Sequence, residues 1–148
     1  MKTIIHASAG VLTMLFLLVF FVAICVAEIK YGVEDVIAVQ RNIYEAMGFY
    51  VFLLLITGGV GLLLSRERKG RIVEMKKRRT LAILACSVFV LLPCSYLLAN
   101  YDLALRGRLF MYLLEGIELL VIGLLITLLS FNFRDGLRLT APPVSSAS

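Results

Sequence analysis

Glu115 and Glu118 are the two residues whose type and placement could do chemistry in this chain. They stand three apart in FMYLLEGIELL, so a helix carries both on one face. No other charged residue falls between Leu109 and Phe133. Ionisable groups at membrane depth are costly, and they face a bundle interior or water. A carboxylate held there is a candidate proton or cation site, with Glu118 the deeper of the two. Counting back about 20 residues from Arg134 puts a membrane boundary near Leu114, with Glu115 at the interface and Glu118 below it. Counting from Thr80 puts Pro93 to Tyr96 at similar depth on an antiparallel neighbour. Ser95 or Tyr96 is thereby placed to bond Glu118, and Arg106 or Arg108 to reach Glu115. The plainer expectation is that the last helix starts later and both acids are wetted.

Other chemistry is scarce. His6 is the single histidine, which excludes a bis-histidine haem site and a histidine-rich metal site. Cys25, Cys86 and Cys94 all lie in apolar runs, with neither zinc nor CxxC spacing, and read as small hydrophobes. There is no phosphate loop, no GxSxG elbow and no HExxH pair. No catalytic residue, metal or cofactor is expected, and the chain is not expected to be an enzyme.

The elements that must position the two acids follow from composition. The 148 residues are 61% hydrophobic and 17% charged, with a mean hydropathy of +0.96. Soluble domains run nearer 45–50% apolar and about a quarter charged. A helix needs about 20 apolar residues to cross a hydrocarbon core of roughly 30 Å. Four stretches meet or approach that length: Ala7 to Ala27, Ala46 to Leu64, Thr80 to Tyr101 and Leu109 to Phe133. Their length and lack of period-two alternation make them helices. The expected fold is all-α, a four-helix transmembrane bundle forming one membrane domain over residues 1–138, with a disordered tail over 139–148.

Charge orients the bundle. Residues 65–79 (SRERKGRIVEMKKRR) hold Arg66, Arg68, Lys69, Arg71, Lys76, Lys77, Arg78 and Arg79, eight of fifteen basic residues. With four spans this segment shares a side with Lys2, Arg134 and Arg138, leaving only Lys30, Arg41, Arg106 and Arg108 opposite. Lys and Arg near span ends stay cytoplasmic, so both termini are expected there. The first stretch is too long for a signal-peptide core, and an uncleaved span is expected rather than cleavage after Ala27. The eight cations are also candidates for contact with anionic lipid headgroups, although orientation alone accounts for them. The net charge of +5 and pI near 9.3 reside in this flanked segment, so no nucleic-acid partner is expected.

Residues 28–45 place Val33, Val36, Ile37, Gln40 and Tyr44 at helical spacing. They form either an interfacial amphipathic helix or an extension of the second span. Pro93 should kink the third span. Thr57, Gly61 and Ser65, with Gly58 beside them, make a small-residue stripe, expected to pack within the bundle rather than form a homodimer seam. The expected partners are the lipid bilayer and either a second copy or a larger membrane complex. The functional expectation is a multi-pass membrane protein acting as a structural or accessory component. The alternative is a small oligomeric transporter or channel for a proton, cation or lipid-like substrate, using Glu118. The orientation has a direct test. A reporter beside Lys69 is expected to stay unlabelled by an impermeant reagent on intact cells, while one beside Asp102 is labelled.

Overall fold

The computed structural model describes residues 2–66 and 70–140, and those residues are helical apart from short connections. Helix α1 is Lys2–Lys30 and α2 is Val33–Arg66. Helix α3, Arg71–Cys86, runs through a π-helical turn at Ser87–Leu91 into α4, Leu92–Ala99, making one continuous rod. Helix α5 is Leu103–Thr140. Four segments are long and apolar enough to cross a membrane: His6–Lys30, Val33–Leu63, Val73–Ala99 and Arg106–Asp135. Arg68, Lys69 and residues 141–148 lie outside the described residues, as do the side chains of Ser65 and Arg66.

Residues 28–45 resolve in favour of helix extension. Helix α1 continues to Lys30, and α2 begins at Val33 after a two-residue turn closed by the Tyr31 N–H on the Ala27 carbonyl, 3.0 Å. Val36, Gln40, Ile43, Met47, Tyr50 and Leu54 form one buried stripe, so the spacing seen near Gln40 is the beginning of the core face of α2. At the other end, α3 absorbs Arg71 and Lys76 to Arg79 into its first turns. Most of the basic connection is therefore helix rather than loop. Gly70 accepts φ of 147° before α3, a value that disfavours any side chain.

Pro93 acts through the π-helical turn. The Leu92 N–H bonds the Ser87 carbonyl, five residues back, and this wide turn precedes the proline. Proline in a regular helix would meet the carbonyl four residues earlier and leave it without a donor. The wide turn changes the register of the rod, which keeps Ser87, Leu91 and Ser95 all buried. At the head of α5 a second break occurs at Gly107, φ 71° and ψ 163°. The Tyr101 hydroxyl donates to its carbonyl at 2.6 Å and holds the broken turn.

Helix α1 packs against α2 and α5, and the α3–α4 rod packs against the same two helices. That makes a closed ring with α2 and α5 on one diagonal. The small-residue stripe is used inside the chain. A Cβ on Gly61 would stand 2.9 Å from His6 Cε1, and one on Gly58 would stand 3.0 Å from Leu84 Cδ1. His6 donates from Nδ1 to the Thr57 carbonyl, 2.9 Å, so the lone histidine joins α1 to α2. Arg79 and Asp135, 2.6 Å apart, tie α3 to α5 at the same end of the bundle.

The outer surface is apolar. Val19, Phe49, Phe52, Phe89 and Leu120 are all more than 60% exposed, on four different segments. Water-soluble monomers rarely expose contiguous apolar surface beyond a few hundred Å². The glycine packing has its own test. A Cβ on Gly59 would meet nothing within 4 Å, whereas one on Gly61 meets His6. Gly59→Ala is expected to be neutral or stabilising, and Gly61→Ala less stable than Gly59→Ala by about 1–2 kcal/mol, from the displaced His6 ring and its hydrogen bond, since the helix-entropy gain is common to both. Thermal unfolding in detergent measures the difference.

Candidate functional site

The interior carries its polar side chains in separate layers. The layer furthest from the basic end is built on Glu118 of α5, which is 0% exposed. Gln40 Nε2 of α2 donates to Glu118 Oε2 at 2.9 Å. The Ser95 hydroxyl of α4 donates to Glu118 Oε1. Both oxygens are therefore met by a donor, each from a different helix. Helical repeat explains the convergence: Gln40 shares the stripe of Val36 and Ile43, Ser95 that of Leu91 and Leu98, and Glu118 that of Ile122 and Leu125. Glu118 stands about 24 Å of helical rise from Arg134, and Ser95 about 22 Å from Thr80. The two counts agree on depth, which is why the pair can meet.

Glu115 is one turn nearer the end of the bundle and 3% exposed. Neither of its oxygens has a hydrogen-bond partner. Glu28 of α1 and Gln40 are its polar neighbours. Glu28 itself is exposed, so the two carboxyls form a step from the rim of the bundle to its interior. Beside them the Cys94 thiol donates to the Leu114 carbonyl at 3.2 Å, a further tie between α4 and α5.

A second layer joins the Tyr50 hydroxyl to Ser87 Oγ at 2.7 Å, from α2 to the π-helical turn. A third holds His6, Thr13 and Thr57 near the basic end. Large side chains separate the layers. Leu17, Met47, Leu91, Ile122 and Leu125 are each at most 1% exposed and lie in the core.

Three expectations change. Tyr96 does not reach Glu118: its side chain is 51% exposed and its ring meets the edge of Tyr44, centroids 5.5 Å apart. Tyr96 is adjacent to Ser95 in a helix, so it points about 100° away from it. Arg106 and Arg108 do not pair with Glu115, because the break at Gly107 leaves both exposed at the head of α5. Full wetting of the two acids is also excluded by their burial. Of the cations proposed for lipid headgroups, Arg71, Lys77 and Arg78 are exposed, Lys76 is half-buried, and Arg79 is held by Asp135. Gln40 stands out in the sequence only as a member of a helical stripe. A polar residue on a core-facing apolar stripe was the available signal for its role. Among the described residues no three His, Cys, Asp or Glu side chains gather as a metal-binding set.

No protein family, curated protein or solved structure matches this chain.

The three-helix bond at Glu118 has a measurable consequence. Gln40→Leu removes one donor from a buried carboxylate and should destabilise the bundle by about 1–2 kcal/mol. Adding Glu118→Leu to Gln40→Leu should cost less than the two single changes combined, since no stranded acceptor remains. Unfolding of all three variants in mixed micelles tests the coupling, and strict additivity would remove it.

Proposed function

We propose that the chain is an integral membrane protein, with both termini and the basic connection on the cytoplasmic side, that serves as a non-enzymatic structural or accessory component. The observation that carries this reading is the filled interior. Leu17, Met47, Leu91, Ile122 and Leu125 close the space between the Glu118 layer and the basic end. A conducting path needs polar or hydrated lining along its length. With both Glu118 oxygens met by donors, the carboxylate suits the joining of three helices. Polar bonds of this kind and close backbone approach hold helices together where lipid is as apolar as the side chains. The apolar outer surface leaves the chain room to pack against a second copy or a larger membrane complex.

The second reading is a small oligomeric transporter or channel for a proton, cation or lipid-like substrate, and enclosure of Glu118 among polar partners favours it. Any path would then involve an assembly of chains. Reconstituted vesicles separate the two. The accessory reading expects proton and cation flux no greater than in protein-free vesicles, with Glu118→Gln altering expression or co-purification in mild detergent. A flux above that background, lost in Glu118→Gln at normal expression, would establish transport instead.

A further inference from the structure

We infer that Glu115, Gln40 and Glu28 form a binding site for a small monovalent cation, open at the end of the bundle opposite the basic segment. The site stands on the bundle itself and does not depend on the accessory role. Its central feature is a set of three buried acceptor atoms without donors: both oxygens of Glu115 and Oε1 of Gln40. Glu115 is 3% and Gln40 1% exposed, so water does not satisfy these atoms from the surface. Orphaned buried acceptors are rare and costly, more so when charged.

The chemistry of the orphans selects the ligand. All three are oxygen acceptors, and the groups facing them are acidic or neutral on every side. Glu28 comes from α1, Gln40 from α2, Cys94 and Ser95 from α4, and Glu118 from α5. Ser95 and one N–H of the Gln40 amide bond Glu118, and the Cys94 thiol bonds Leu114, which leaves the second Gln40 N–H as the one neighbouring donor among these groups. Neither Arg106 nor Arg108 closes on it. A cation supplies what is missing. An ammonium ion offers N–H donors to the three acceptors, and an alkali ion accepts the same oxygens as ligands. Divalent ions fit less well, since they recruit several carboxylates, and among the described residues Glu115 is the one buried carboxylate with unpaired oxygens. Exposed Glu28 gives the cation its entry from the rim, and the packed core below Glu118 prevents its exit at the other end.

The test uses the full chain in detergent or nanodiscs. Unfolding is followed at constant ionic strength and pH while N-methylglucamine chloride, too bulky for the site, is replaced by sodium, potassium or ammonium chloride. A saturable stabilisation by one or more of the small cations is expected. At ten times the dissociation constant, the folding equilibrium rises about tenfold. The order of sodium, potassium and ammonium separates alkali from ammonium ligation. Glu115→Gln should abolish the dependence. Should that variant not fold, Glu28→Gln, on the exposed rim, should weaken the apparent affinity several-fold. Identical unfolding in all four salts overturns the site, as does a cation dependence of unchanged apparent affinity in whichever variant folds. Stability that follows pH alone, with no preference among cations, also overturns it by assigning the orphaned oxygens a proton.

Discussion

Three helices meet at one carboxylate. Gln40 and Ser95 each bring a donor to Glu118, and the register of α2, α4 and α5 relative to one another is set by that meeting. Sliding any of the three rods by one residue moves its partner by about 1.5 Å and turns it by about 100°. A buried acceptor would then be left without a donor, which costs more than an ordinary packing mismatch. Apolar contacts cannot impose such a register, because Leu against Leu is nearly as good one position along. Helices α2 and α5 face each other across the diagonal of the ring, so the Gln40–Glu118 bond also limits how far the ring can open.

The same logic repeats down the bundle in weaker forms. Tyr50 and Ser87 join α2 to the π-helical turn, and His6 joins α1 to α2. Gly61 and Gly58 let helix backbones approach where a side chain would collide with His6 or Leu84. Between these ties the core is aliphatic and closed. Polar layers alternating with apolar plugs give a rod assembly that is held in register at several heights. The π-helical turn belongs to this scheme, since it accommodates Pro93 and keeps Ser87 and Ser95 on the interior side of one rod.

Charge is partitioned just as sharply. At the basic end Arg79 turns inward to Asp135, and Arg79 and Arg134 both lie over the Phe131 ring. Arg71, Lys77 and Arg78 face outward, where solvent or headgroups can reach them. At the opposite end an exposed acid leads to a buried one that has no donor. One end thus pairs its buried acid with an arginine of the chain, and the other sets its buried acid beside a second acid at the rim.

Much of this is legible in residue order. Counting from Thr80 and Arg134 places Ser95 near Glu118, because rise per residue is constant in helices and adjacent rods run antiparallel. The same counting cannot separate Ser95 from Tyr96, since depth is shared by neighbours while direction depends on the helix face and on the extra residue in the π-helical turn. Arg106 and Arg108 are within reach of Glu115 by length alone, and the backbone break at Gly107 directs them elsewhere. Asp135 gives no signal as the partner of Arg79, because the two are 56 residues apart and meet only when the ring closes.

The order of residues by itself determined that the chain is helical, that four segments are long and apolar enough to cross a membrane, and that cations collect at one end. Those properties are local: they depend on side-chain transfer energies and run lengths within single segments. Which polar groups find partners depends on rotation and register between segments distant in the chain. Only the closed ring decided that Glu118 is satisfied twice over while Glu115, three residues away on the same face, is buried with no donor at all.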